Sequence, residues 1–271
     1  MSDVLSKLMF MATILDKICD NKRQELTELK RQLTLTEIRD REMFGRQCFS
    51  LKQSLLDSET GIISEFKRRS PSKGDIHPGA EPEDVVSGYE QNGASGVSCL
   101  ADKDFFGGSP DDVMKARKVL THTPLLYKEF VVDEYQLSLA KSCGADVVLL
   151  IAACLDRGQL AEYAHCAKEL GLETLLEVHS EDELSYTNNY IDIVGVNNRN
   201  LHIFKTDVQT SFDLAAAIPS DFVKISESGI SQPKTVIELR KVGFRGFLMG
   251  ENFMKESDPA AALRKFIQEL T

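Results

Sequence analysis

Gly61-Ile62-Ile63-Ser64-Glu65-Phe66-Lys67-Arg68-Arg69-Ser70-Pro71-Ser72-Lys73-Gly74 is an apolar run that stops in charge and then turns. A β-strand sends alternate side chains to one face, so Glu65 and Lys67 share a face about 7 Å apart. A carboxylate beside an ammonium can divide proton-transfer work. Ser70, Ser72, Lys73 and Gly74 follow with hydroxyls, a cation and a permissive backbone, a set that suits an oxyanion. An ordinary charged surface turn has the same residue types. What separates the two readings is whether the pattern recurs.

It recurs outward along the chain. Short β-rich runs lie at Gly61 to Lys67, Gly96 to Leu100, Leu125 to Phe130, Asp146 to Ala152, Glu173 to His179, Ile193 to Asn197, Phe222 to Ser226 and Phe247 to Met249, with helix-forming segments between them. Strands alternating with helices imply a parallel sheet with right-handed crossovers. Gly93-Ala94, Gly144-Ala145 and Gly243-Phe244 mark turns just ahead of strands. Eight such units favour closure into an α/β fold of the (β/α)8, or TIM barrel, type over an open sheet. Ahead of them, Ile14, Ile18, Leu26, Leu29 and Leu33 recur in a Lys- and Glu-rich stretch at helical spacing. Residues 1–271 therefore read as one barrel domain, with 1–48 a helical extension packed on it.

Composition narrows the partners. The chain has 271 residues, 42% hydrophobic and 27% charged, ordinary for a soluble globular protein. Its longest apolar run, Val147 to Leu155, falls short of the roughly 18 residues that span a bilayer. Leu8 to Leu15 is a shorter apolar patch, followed by Asp16 and Lys17 rather than a small-residue cleavage site, and reads as the start of the amphipathic helix. A net charge of −10 argues against a nucleic-acid surface, so any phosphate must be met by local cations. The six cysteines form no C-x-x-C pair and read as reduced residues of a cytoplasmic protein. Five histidines without paired spacing give no metal motif, and no dinucleotide fingerprint is present. The expectation is a monomer or weak homo-oligomer acting on a small phosphorylated molecule, without cofactor, metal, membrane or nucleic acid.

A barrel gathers its chemistry at the carboxyl ends of its strands. Polar residues stand there in five runs: Glu65 and Lys67, Lys128, Glu177 and His179, Asn197 and Arg199, and Ser226, Glu227 and Ser228. One such residue is often a structural ion pair; five at one end point to function. Lys128, in Leu125-Leu126-Tyr127-Lys128-Glu129-Phe130, ends an apolar strand and suits either a proton donor to a carbonyl or a Schiff-base nucleophile. His179 reads better as a hydrogen-bonded strand-end histidine. Ser228-Gly229-Ile230 and Met249-Gly250-Glu251 follow the last two strands, where barrels commonly hold phosphate on backbone N–H groups. The Glu251 carboxylate would repel phosphate, so only its amide is assigned there. Phe105-Phe106-Gly107-Gly108 after the second strand suits an aromatic ligand or a hydrophobic lid.

The segments Ile14-Leu15-Asp16-Lys17-Ile18, Ser64 to Gly74, Lys128-Glu129-Phe130, Leu176-Glu177-Val178-His179, Gly195-Val196-Asn197-Asn198-Arg199-Asn200-Leu201, Ser226-Glu227-Ser228-Gly229-Ile230 and Gly250-Glu251, in this order, resemble indole-3-glycerol-phosphate synthase of tryptophan biosynthesis over nearly the whole chain. The resemblance implies a (β/α)8 barrel and closure of 1-(2-carboxyphenylamino)-1-deoxyribulose 5-phosphate to indole-3-glycerol phosphate, with loss of carbon dioxide and water. It implies Lys128 as acid for ring closure and Glu65, Lys67 and Glu177 as the set that divides the later proton transfers, their individual shares left open. Asn197 and Ser228 match positions that hold the substrate and those carboxylates, and Glu227 is counted with the substrate contacts. Arg199 matches a contact to the anthranilate carboxylate, and Ser70, Gly229 and Gly250 match phosphate contacts. Phe106, Phe130 and Leu201 match apolar walls. The chain departs from the family pattern at Leu100-Ala101-Asp102, where threonine usually precedes the acid, at Glu129, where aspartate is commoner, and at Arg68-Arg69 and Phe253. Two other readings stand beside this one: a Schiff-base aldolase built on Lys128, and a catalytically silent barrel that binds a metabolite or partner through Phe105 and Phe106.

Overall fold

The computed structural model describes residues 13–200 and 205–270. Eight parallel strands close on themselves. They are β1 (Ile62–Phe66), β2 (Gly96–Leu100), β3 (Leu125–Lys128), β4 (Val147–Ile151), β5 (Glu173–Val178), β6 (Ile193–Asn197), β7 (Val223–Glu227) and β8 (Phe244–Met249). The circle closes where β1 pairs with both β2 and β8. The eight runs expected from the sequence are all strands, shorter or longer by a few residues. The largest shift is at β8, which starts at Phe244, before the expected Phe247. Its pairing with β7 slips between Phe244 and Gly246, and this irregular start reads in sequence as a turn.

Period-two alternation sorts the side chains into two cores. Ile63, Leu126, Val147, Leu149, Ile151, Leu175, Ile193, Val223, Ile225 and Leu248 form one cluster, the packed barrel interior. Residues between them, such as Ile62, Val97, Tyr127, Val148, Leu176 and Val194, join the larger core beneath the surrounding helices. Following the inward set along each strand ends on Glu65 in β1, Lys128 in β3, Glu177 in β5, Asn197 in β6 and Glu227 in β7. The same alternation that fills the barrel with aliphatic carbon thus delivers polar groups to its mouth.

Helices precede the barrel. In α1 (Ile14–Gln32), Thr13 and Asp16 form a reciprocal capping box that satisfies amides of the first turn. Its buried stripe is Leu15, Ile18, Cys19, Lys22 and Leu26. After α2 (Leu35–Arg39), α3 (Leu51–Asp57) brings Leu51 and Leu55 into the interior cluster at the end away from the polar mouth. Leu51 lies over Gly96 and Leu55 over Gly246, and a Cβ on either glycine would meet these leucines at 2.5 and 3.1 Å. No described helix is long and apolar enough to cross a membrane.

Candidate active site

At the mouth, Glu65, Lys67, Phe106, Lys128, Phe130, Glu177, Asn197, Arg199, Glu227, Ser228, Gly229, Gly250 and Glu251 line a single cavity. Leu100, Leu149, Ile151, Ile230 and Leu248 complete its apolar wall. Of the other expected site residues, Ser70 is not in this cavity but lines a separate depression with Arg69, Pro71 and Gly74, and Leu201 falls outside the described residues, as do Leu8 to Ala12 of the early apolar patch.

Lys128 is the centre of charge. Its Nζ stands 2.6 Å from Glu227 Oε2 and 3.1 Å from Glu177 Oε2. Burial by itself would lower the lysine's pKa; Glu227, Glu177 and Glu65 outweigh it and hold the ammonium above the ordinary lysine value. Glu177 is shifted the other way. Burial opposes its ionisation, but Lys128, His179 and a hydrogen bond from Asn197 Nδ2 at 3.1 Å keep its pKa low. Burial dominates at Glu227, and with the Glu177 charge beside it the carboxyl is pushed up to about 7. Two carboxyl groups on one lysine are thereby driven apart in proton affinity.

Glu65 and Lys67 are in direct ion-pair contact across the β1 end. The Asn197 side chain joins two elements: its amide donates to Glu177 and its carbonyl accepts the Arg199 backbone N–H at 3.0 Å. The Arg199 guanidinium reaches Ser72 Oγ at 2.8 Å and Thr206 Oγ1 at 3.3 Å, joining the loops after β1 and β6. His179 is mostly buried, with Nε2 3.5 Å from Glu177 and Nδ1 3.4 Å from Glu183. Burial would lower its pKa, and Glu183 with Glu177 raises it instead, although neither ring nitrogen makes a hydrogen bond.

The far side of the cavity is backbone. Ser228 has a φ of 67°, which is rare outside glycine, and Gly229 follows at 76°. A Cβ at Gly229 would stand 2.6 Å from Thr206 Cγ2, and one at Gly250 would stand 2.4 Å from Glu65 Oε1. Both glycines therefore permit close approach. Glu251 pairs with Lys73 at 3.2 Å on the exposed rim, which directs its carboxylate to a neighbouring cation. Phe106 and Phe130 face each other with ring centroids 5.9 Å apart on the opposite wall.

Sequence reading missed how the aromatic wall is supported. Lys22 of α1 is buried against Asp102 and Glu129, at 3.0 and 3.1 Å. The available signal was a lysine at the position shared by Ile18 and Leu26 on one helical stripe. Among the described residues, no group of three or more His, Cys, Asp or Glu side chains is arranged to hold a metal ion.

The indole-3-glycerol phosphate synthase family model matches residues 15–266. An indole-3-glycerol phosphate synthase of Bacteroides thetaiotaomicron is 49% identical over 260 residues, covering 96% of this chain and all of that protein. Another, of Salinibacter ruber, is 37% identical over 259 residues, 95% of this chain and 96% of its own length. Among solved structures, 3-hexulose-6-phosphate synthase of Salmonella typhimurium superposes with a TM-score of 0.61 at 14% identity, over 78% of this chain and 98% of that one, a likeness of fold.

Proposed function

The chain belongs to the indole-3-glycerol phosphate synthase family, whose members are carboxy-lyases, and from that premise we propose how its cavity performs the reaction. The substrate is 1-(2-carboxyphenylamino)-1-deoxyribulose 5-phosphate. Its anthranilate ring lies against Phe106 and Phe130, with Arg199 facing the carboxylate, and its phosphate lies at Ser70, Gly229 and Gly250.

The ring carbon that bears the carboxylate attacks the ribulose carbonyl carbon, and Lys128 gives its proton to the oxygen as the new bond forms. Carbon dioxide then leaves, returning its bonding electron pair to the ring. Dehydration follows: the hydroxyl departs as water with a proton from an acid, while a base removes a proton from the neighbouring methylene carbon, whose C–H electron pair becomes the new ring double bond. Glu65, Lys67 and Glu177 divide these transfers, and Asn197 and Ser228 hold the substrate and the carboxylates in register.

The observation that carries this reading is the Lys128 ammonium held between Glu177 and Glu227 at the end of an apolar-walled cavity. A lysine must be charged before it can donate as an acid, and the neighbouring carboxyl groups favour that form. A Schiff-base aldolase needs the neutral amine and has less support from the same geometry. A cytoplasmic setting, a monomer or weak homo-oligomer and an N-terminal extension over residues 1–48, of which 1–12 lie outside the described residues, belong to the same proposal.

The direct test is incubation of purified protein with the carboxyphenylamino-deoxyribulose phosphate while indole absorbance or fluorescence is followed. Growth of the indole signal is expected; a flat trace with intact substrate would overturn the proposal.

A further inference from the structure

The N-terminal helix places one cation where the mechanism has no use for it. Lys22 is 4% exposed, and its Nζ lies 2.6 Å from Glu25 Oε2, 3.0 Å from Asp102 Oδ2 and 3.1 Å from Glu129 Oε2. Asp102 and Glu129 are themselves buried, just past the ends of β2 and β3. Each turns one oxygen to Lys22 and the other to backbone. Asp102 Oδ1 accepts the amides of Phe105 and Phe106 at 2.8 and 3.2 Å, and Glu129 Oε1 accepts the amide of Phe130 at 2.8 Å. The residues so held include both facing aromatics of the cavity. Next to Lys22, Asn21 Nδ2 binds Asp104 Oδ2 at 2.9 Å and so grips the same loop a second time.

We infer that Lys22 is a positioning residue for aryl recognition: by joining Asp102 to Glu129 it sets the spacing of Phe106 and Phe130 around the substrate's aromatic ring. Two buried carboxylates without their shared cation repel each other, and each carries an aromatic wall by its backbone amide. The α1 helix thereby becomes part of the specificity apparatus although it contributes no atom to the cavity lining. This inference rests on the proposed function for the identity of the ring.

The experiment compares wild type with Lys22→Met, measuring kcat, KM for the carboxyphenylamino-deoxyribulose phosphate, and the inhibition constant of inorganic phosphate. Loss of aryl positioning is expected to raise KM about tenfold, a modest fraction of what breaking a buried ion pair costs, with kcat nearly unchanged. The phosphate constant stays at its wild-type value, because that end of the cavity is untouched. Adding Glu129→Gln, which removes one of the two facing charges while its amide oxygen still accepts from Phe130, should bring KM back towards the wild-type value, and a KM that stays fully raised would count against the inference. An unchanged KM, or a rise in KM and in the phosphate constant together, would overturn the inference. Should Lys22→Met fail to fold, Lys22→Arg keeps the charge but displaces both carboxylates; raised KM with an unchanged phosphate constant is expected again, and unchanged KM overturns. Hydrogen exchange without substrate gives an independent readout: faster exchange confined to segments 102–108 and 128–132 in the Lys22 variant is expected, and unchanged exchange there counts against the inference. Wild-type protein that leaves the substrate intact would overturn the proposed function instead, while the exchange result still decides the role of Lys22.

Discussion

At the scale of single residues, the site depends on how Lys128 is surrounded. With Glu227 at 2.6 Å and Glu177 at 3.1 Å, the amine is held charged through neutral pH and is suited to donate rather than attack. Lys128→Ala is therefore expected to lower kcat by about 10² or more, the usual scale for an acid–base group, while KM moves much less. Near-normal turnover in steady-state assays would remove Lys128 from its role. Borohydride added during turnover should leave the chain unmodified, and a reduced adduct mapped to Lys128 by mass spectrometry would transfer the assignment to the aldolase reading. Gly250 offers a second probe, one that reaches Glu65 as well as the phosphate end of the cavity. A Cβ there meets Glu65 Oε1 at 2.4 Å and Glu65 Cβ at 3.0 Å, so Gly250→Ala must push that carboxylate off Lys67. Activity should fall about tenfold or more with circular dichroism and melting temperature nearly unchanged; full activity would mean that the position of Glu65 is not critical.

Elements divide the barrel into a working end and a supporting end. The α3 plug, Leu51 and Leu55, is fully or almost fully buried at the end away from the cavity. Leu55→Ala is expected to cost about 3 kcal/mol in denaturant unfolding, the usual range for a buried leucine, with kcat of the folded protein retained. A loss of kcat without a loss of stability would contradict this separation. Helix α4 (Pro82–Gln91) is tied to the entry of β3 by Glu90, whose carboxylate accepts the amides of Thr121, His122 and Thr123. Burial alone would raise its pKa, but those amides win and lower it to about 2. For a depressed carboxylate the stabilisation is complete above the unfolded value of about 4.5 and is lost as pH falls through the folded value. The stability difference between wild type and Glu90→Gln should accordingly be smallest near pH 2, grow between about 2 and 4.5, and level off above. A difference independent of pH in parallel urea titrations would sink this assignment.

For the molecule as a whole, a net charge of −10 means that an anionic substrate is captured by local groups against an unfavourable overall field. Inorganic phosphate is therefore expected to compete with substrate through the Ser70, Gly229 and Gly250 region, whereas added magnesium or a chelator should leave initial rates unchanged; chelator inhibition reversed by metal would reveal a missed metal site. Much of this architecture was legible in the sequence because strand periodicity is local. Glu65, Lys128, Glu177, Asn197 and Glu227 each end an apolar run of the right parity, and parity alone places them inward at one end once the sheet closes. Family segments spread from Ile14 to Glu251 pointed to the same fold. What the sequence could not reveal is anything set by approach across the barrel. The sequence pointed to convergence of Glu65, Glu177 and Glu227 on the strand ends around Lys128, but did not show that Glu177 and Glu227, 49 and 99 residues away along the chain, make the contacts, nor that Gly250 makes room for Glu65. Nor could it turn Lys22 inward, because a lysine on a helix reads as solvated until buried carboxylates from other elements are seen around it. Alternation along a chain fixes which face a side chain takes; only closure of the barrel and docking of α1 decide which charges meet, since those distances depend on strands and helices remote in sequence.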